Sequence, residues 1–369
     1  FCHTLSFPCE IYLPASLCSV YGCLCKIASI LSLSIYAAKF THRHLRAEML
    51  KNNFKLAWSN YIFLAILNQS ISCYTSVHRT IHRKIPGGIY HMKRIITLQD
   101  ISCVGRCSIT VALPVISAMG VECGILPTAV LSTHTMFKTF TCKDLSDQIA
   151  PIADAWEAEK ITFDGIYTGY LASGEQCRQV CAFFDRFANA DNLVLVDPAM
   201  ADNGKLYAAF DSSFPQEMAK VCAKADIILP NITEACLLTG TEYRTEYDEA
   251  YIDGLLCRLL DLGCRTAVLT GVSFAPDKLG VAYLDRDGKR FSYFTRRCPQ
   301  SYHGTGDLYS STVLGGVMRG LDLGDALALA ADFVVTCIEA TASSKESRWY
   351  GVEFESQIPL LCRMLEERL

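Results

Sequence analysis

The sequence lacks an excess of either charge. Its 34 Lys and Arg stand against 38 Asp and Glu, a net charge of -4 over 369 residues. Nucleic-acid and anionic-membrane surfaces call for a concentrated basic face, and none is present. An anionic ligand must then be held by backbone amides or metal ions. The phosphate-binding pattern G-x4-G-K-S/T is missing, as are the protein-kinase signature set and a G-x-G-x-x-G after the first strand. Paired C-x2-C frameworks are missing too, although there are 19 cysteines; the close pairs Cys23/Cys25, Cys103/Cys107 and Cys177/Cys181 do not have zinc-site spacing. With no evident basic n-region and a late first apolar stretch, an export signal is not expected either. The cysteines are read as reduced thiols packed as small hydrophobes, and the location as cytoplasmic.

What is present is ample core material: 51% of residues are hydrophobic and only 20% charged, which excludes a disordered chain. The chain changes character at Met92. Residues 1–91 carry few acids and run through Ile11–Phe40 and Leu56–Leu67 without clean periodicity, with Lys26 interrupting the first stretch and His42–Arg46 following it. They are expected to be an extension unrelated to the rest, an upstream translation preceding a natural start at Met92; a membrane-associated extension is the other reading. No function is assigned to them.

Residues 92–369 are expected to form one domain. Short β-branched runs fall at Arg94–Leu98, Glu122–Leu126, Gly165–Thr168, Leu193–Asp197, Asp226–Leu229 and Thr266–Thr270. Amphipathic stretches such as Leu145–Glu159, Glu175–Asn189 and Glu249–Leu262 lie between them. This alternation predicts an α/β fold with a mostly parallel central sheet and helices on both faces. Lys278–Leu284 and Lys289–Arg296 flank a Gly-containing turn and predict a hairpin. The residues around Tyr293–Tyr302 are expected to act with it as a small flap, and the chain from Leu308 onward is expected to be helical.

In open parallel sheets ligands bind beyond the carboxyl ends of the strands. The chemically suggestive residues collect there: Asp100 and Ser102 after the first strand, Thr168-Gly169-Tyr170 after the third, Asp197 at the fourth, Asn231 and Glu234 at the fifth, Thr270-Gly271 at the sixth. The strongest local signal is Gly304-Thr305-Gly306-Asp307 before the helix Leu308–Arg319. Two glycines allow a tight turn that presents free N–H groups at a helix start, a place for phosphate. A carboxylate at the mouth of such a pocket suits a base that takes a proton from an attacking hydroxyl. Asp197, Asp202 and Glu234 either cap helices and turns or position Mg2+ against the phosphates.

These residues resemble the pyridoxal kinases of the ribokinase-like superfamily, over essentially all of 92–369. Gly304-Thr305-Gly306-Asp307 matches the family's G-T-G-D, which implies that Asp307 is the catalytic base and the three residues before it the anion hole. Val196-Asp197-Pro198-Ala199-Met200-Ala201-Asp202 is similar to D-P-V-M-G-D, and Leu229-Pro230-Asn231-Ile232-Thr233-Glu234-Ala235 to T-P-N-x-x-E-A. The resemblance puts Asp197, Asp202, Asn231, Glu234, Thr270 and Gly271 in the ATP and metal region, with Asp197 and Glu234 as metal residues. Ser132-Thr133-His134-Thr135 is similar to S-N-H-T and Gly169-Tyr170 to G-Y, which implies that Thr135 and Tyr170 contact the substrate. Where the family has Q-S-H, this chain has Gln99-Asp100-Ile101, so that Asp100, with Ser102 two residues on, stands at the substrate; the acid resembles the one found early in hydroxymethylpyrimidine kinases. The implied fold is a three-layer α/β/α sandwich with a small hairpin flap. The implied activity is phosphorylation of the 5′-hydroxymethyl group of a vitamin B6 compound with ATP and Mg2+, a monovalent cation being left open. The alternative is a hydroxymethylpyrimidine kinase. A homodimer is implied, with no nucleic-acid partner and no membrane for 92–369.

Overall fold

The computed structural model describes residues 92–369. The chain divides after Tyr90, and the expectations for residues 1–91 lie outside the described part.

Eleven strands and nine α-helices follow from Met92 onward. They are β1 (Arg94–Val104), α1 (Ile109–Ala118), β2 (Glu122–Thr133), β3 (Cys142–Asp144), α2 (Ser146–Ala158), β4 (Gly165–Thr168), α3 (Gly174–Phe187), β5 (Leu193–Val196), β6 (Ala201–Asp202), β7 (Lys205–Leu206), α4 (Phe214–Cys222), β8 (Ile227–Ile228), α5 (Ile232–Thr239), α6 (Glu249–Asp261), β9 (Thr266–Val272), β10 (Lys278–Asp285), β11 (Arg290–Arg296), α7 (Thr305–Met318), α8 (Leu323–Ser343) and α9 (Ile358–Glu366). Nine strands form one sheet in the order β11-β10-β9-β8-β5-β4-β1-β2-β3. The six from β2 to β9 are parallel, and β3, β10 and β11 are antiparallel additions at the two edges. The chain starts at β1, goes to one side for β2 and returns to the other for β4, so the topological switch point lies between β1 and β4.

Strand alternation sorts the core into two layers. Ile96, Leu98, Ile166, Val194, Val196, Ile228 and Leu269 face one way and pack against α2 to α6 through residues such as Val180, Phe183, Met218 and Leu255. Ile95, Tyr167, Leu195, Ile227 and Val268 face the other way and meet α1, α7, α8 and α9 through Val115, Val313, Phe333 and Leu361. Helix starts are fixed by side-chain caps: Ser173 on the Gln176 amide, Asp248 on Tyr251 and Asp322 on Asp325. α8 is long and apolar enough to cross a membrane by length and composition, yet it buries Leu327, Ala330 and Phe333 in the second core layer.

The structure departs from the sequence expectations in two places, the lengths of the first two strands and the C-terminal helices. β1 and β2 run well past Leu98 and Leu126, pairing out to Val104 and Thr133. Pro127 lies opposite Gln99 at a register shift, where a missing N–H costs little. The expected 278–296 hairpin is present as β10 and β11, and β10 pairs with β9, so that it continues the sheet. Residues 344–354 interrupt the C-terminal helices.

Candidate active site

The first turn of α7 has no side chain on its N-cap, so the amides ahead of Asp307 are left for something other than the chain itself. Gly304 makes this turn with φ +80°, and a Cβ on it would lie 1.8 Å from the Arg106 carbonyl oxygen. Only glycine fits there. Over Gly306 a Cβ would meet nothing within 4 Å, so open space lies above the helix start. The Thr305 hydroxyl donates back to the Tyr302 carbonyl at 3.1 Å, which leaves its amide as what it offers a ligand.

Asp307 sits where two helix starts converge. Its carboxylate accepts from its own amide in α7 and from the amide of Ser108, the N-cap of α1. Ser108 holds φ 50° to present that amide, a left-handed conformation that a non-glycine residue keeps only when its surroundings demand it. Removal from water, then the nearby Asp197 charge, push Asp307 up to about 7. Asp197, at the end of β5, is pushed up to about 6 by burial; Ser310 donates to its Oδ2 at 2.8 Å. A group poised near neutrality can both take and return a proton.

Asn231 and Glu234 form a capping box at the start of α5. Glu234 accepts from the amides of Asn231 (2.8 Å) and Met200 (3.0 Å), and Asn231 Nδ2 donates to the Ala201 carbonyl at 2.8 Å. The pair therefore clamps the 197–202 segment to α5, with Glu234 forced far above the usual carboxylate range by burial and by Asp197. Asp202 is exposed at the β6–β7 turn, where it accepts from the Asn203 amide at 2.8 Å. Thr270 bridges to Asn231 in parallel, and Gly271, at φ +75°, borders open space. These residues line the sheet edge beside α7.

On the other side of α7, Asp100 lies in the bulge where β1 and β2 shift register, a device that re-aims a side chain. It is 4% exposed and raised by burial, while the Ser108 and Ser102 hydroxyls donate to it. Ser102 is thus a support behind Asp100, at 3.1 Å. Tyr170 is half-buried, with its phenol pushed up to about 12 by burial and then by Asp100, so the two groups lie near one another. Its ring lies 5.4 Å from Phe210. Thr135 is exposed at the rim. Beside it, His134 takes the Met136 amide on Nδ1 and meets the Tyr350 carbonyl through Nε2 at 2.8 Å, so the ring carries its proton on Nε2. His134 also lies 4.4 Å from the His303 ring, and burial together with His134 lowers His303 to about 4.

The structure thus gathers Asp100, Tyr170, Asp197, Glu234 and Asp307 around one pocket and sets Asp202, Thr135 and Gly271 on its rim. Sequence reasoning missed Ser108, which serves Asp307 by its amide and Asp100 by its hydroxyl, and Ser310 beneath Asp197. It also missed Tyr207, whose phenol is raised by burial and by Glu234, Asp202, Asp197 and Asp307 in turn. Ser108, as a serine just before a helix, was the one with a readable signal.

Residues 109–350 match the phosphomethylpyrimidine kinase family. A protein of Bacteroides thetaiotaomicron assigned as a phosphomethylpyrimidine kinase, crystallised with pyridoxal, is 34% identical; the match covers 73% of this chain and 96% of that one, with a TM-score of 0.70. The pyridoxal kinase of Lactobacillus plantarum is 31% identical over 75% of this chain and 99% of that one, with a TM-score of 0.69. The pyridoxal kinase of Dictyostelium discoideum is 24% identical over 275 residues, covering 69% of this chain and 88% of its own. The chain belongs to the phosphomethylpyrimidine kinase family and, within the ribokinase-like superfamily, to the pyridoxal kinases.

Proposed function

We propose that this chain transfers the γ-phosphate of ATP to the 5′-hydroxymethyl group of pyridoxal and its close relatives. The observation that carries this reading is Asp307 at the meeting of two helix starts, beside the uncapped first turn of α7. The substrate oxygen forms the new O–P bond as the bond from the γ-phosphorus to the bridging oxygen of ADP breaks. Asp307 takes the hydroxyl proton, and the amides of Gly304, Thr305 and Gly306 face the phosphoryl oxygens, where charge is greatest. Tyr170 and Asp100 bracket the flat ring, the first by stacking and the second by accepting a hydrogen bond.

Mg2+ fits this donor set. Among the described residues no three-ligand protein cage is present, but Mg2+ keeps most of its water and binds through one or two carboxylates plus phosphates. Asp197 turns one oxygen to Ser310 and leaves Oδ1 for the metal; Glu234, with both oxygens on amides, shapes the loop that carries it. Bound there, Mg2+ would neutralise charge on the phosphates. A cytoplasmic homodimer is part of the same reading and rests on the family resemblance.

A second reading, phosphorylation of hydroxymethylpyrimidine, is favoured by one feature, the acid at position 100. Turnover decides between them. With Mg-ATP, kcat/KM is expected to be higher for pyridoxal, pyridoxamine and pyridoxine than for hydroxymethylpyrimidine, with one ADP released per phosphorylated product. A higher value for hydroxymethylpyrimidine than for every B6 compound would establish the second reading, and no ADP release would remove both.

A further inference from the structure

Gln176 is fully buried at the third position of α3, and both ends of its side-chain amide are used. Its backbone amide donates to the hydroxyl of Ser173, the N-cap, at 3.2 Å. Its Oε1 accepts from the amide of Ala172 at 2.8 Å. Its Nε2 donates twice, to the Thr128 carbonyl on β2 at 3.1 Å and to Asp144 Oδ2 on β3 at 3.0 Å. An N–H on one side and two oxygens on the other leave the carboxamide a single orientation. Ser173-x-x-Gln176 has the form of a capping box, in which the side chain reaches back to the N-cap amide. Here it reaches one residue further, to Ala172, and so closes the loop 169–173 that carries Tyr170. A glutamate would serve a capping box equally well. At this place its second oxygen would face a carbonyl and a carboxylate with no proton to give, so only an amide suits all three partners.

The bonds of Gln176 bridge a gap in the sheet. Tyr170 follows β4, and the strand order β4-β1-β2-β3 puts β3 three places away, roughly 14 Å across the sheet. β4 makes its ladders with β1 and β5, so backbone pairing does not set the Tyr170 loop against the outer edge. Gln176 does this from α3, above the sheet. Its partner Asp144 is held in turn, with Oδ1 accepting from the Ser146 amide at 2.7 Å, and Asp144 pairs with Ala129 across the β2–β3 ladder.

We propose that Gln176 is a positioning residue for Tyr170: it fixes the stacking face of the acceptor pocket against the β2–β3 edge and so sets how closely a flat ring is held beside Asp100. Tyr170 touches the acceptor, and Gln176 acts through it. The phosphate side stands on α5 and α7, and the four partners of Gln176 lie on neither. Its loss therefore weakens the hold on the acceptor and spares the nucleotide. The inference rests on the kinase reading and deepens its acceptor side.

The test is Gln176→Met, which keeps the length of the side chain and removes its polar atoms, alone and in a Tyr170→Ala background. Alone, it is expected to raise the KM for pyridoxal about 10-fold, with kcat and the KM for ATP within about 2-fold. Combined with Tyr170→Ala it should add less than about 2-fold to the loss, since the group it positions is gone. A second arm exchanges the charge. Gln176→Glu sets two carboxylates together and should raise the same KM; adding Asp144→Asn, which puts a donor in place of the repelling oxygen, should lower it again by about 3-fold or more. A wild-type KM for pyridoxal in Gln176→Met overturns the proposal, as does an equal loss in both backgrounds or a parallel rise in the KM for ATP. If Gln176→Met does not fold, the charge exchange decides, and no recovery with Asp144→Asn overturns the proposal. If wild-type protein releases no ADP with any B6 compound, the kinase reading fails; if it turns over and Gln176→Met does so with an unaltered KM, only this inference fails.

Discussion

The phosphate side of the pocket and its substrate side share one sheet edge, yet they are assembled differently. On the phosphate side the proposed reading relies on backbone: the uncapped turn 304–306 and the loop that Asn231 and Glu234 clamp, with the Ser108 amide holding Asp307. On the substrate side it relies on side chains, and they stand on the overlong ends of β1 and β2, a bulge, and a loop that His134 ties to the Tyr350 carbonyl. Amides are fixed by the fold and indifferent to what the phosphate is attached to. Side chains on a bulge can be exchanged without disturbing it. On the proposed reading, one side sets the reaction and the other chooses the acceptor.

The largest effect should come from the base. Asp307→Asn is expected to lower kcat by 10^3-fold or more, at the upper end of what one general base contributes, while nucleotide binding measured by calorimetry persists. Near-wild-type turnover would take the proton transfer away from the phosphate side. Next is Gly304→Ala, where the new methyl meets the Arg106 carbonyl and the backbone is held left-handed. A cost of about 3 kcal/mol is expected, read as a Tm lower by roughly 5 °C and a large loss of kcat. Normal stability and activity would mean that the turn is not rigid.

Asp100→Ser should leave kcat and the KM for ATP nearly untouched and shift the pyridoxamine-to-pyridoxal ratio of kcat/KM toward pyridoxal by about 10-fold, the scale of one charge-assisted hydrogen bond. A parallel loss for all acceptors would place Asp100 in the phosphate machinery instead. The smallest effect concerns stability. Asp307 has its carboxyl raised to about 7 in the folded protein from 3.8, so the folded state binds the proton more tightly than the unfolded one. The stability it contributes is present below pH 4, declines as pH rises, and is gone above about 7. In protein free of nucleotide and Mg2+, the Tm of wild type relative to Asp307→Asn should therefore fall between pH 4 and 7. A flat difference would show that Asp307 is well solvated.

The same contrast explains what could be read from the sequence. Gly304-Thr305-Gly306-Asp307 and the Asn231–Glu234 box are contiguous, and a helix start announces itself locally, so that side was legible. So was the parallel core, because its strands are short, apolar and separated by amphipathic helices. The substrate side depends on pairing. β1 reaches Val104 only because β2 accompanies it past Pro127, β3 closes that edge, and residues 344–354 return to His134. Ser108 under Asp307 and Tyr167 beside Gln99 depend on which strands and helices become neighbours, a fact of topology that no local pattern records. The hairpin 278–296 was recognised as a hairpin, and its place at the sheet edge was decided by β9.

The seat of Gly304 against Arg106, and of Asp307 on Ser108, also orders events in time. The two halves of the anion site are made about two hundred residues apart, so a ribosome needs roughly 10–40 s between them at ordinary synthesis rates. By the end of that interval every parallel strand is already outside or emerging, while the pocket has an edge but no floor. The nascent chain therefore acquires its sheet before it can hold a phosphate, and ligand can protect the protein only in the last step of its making.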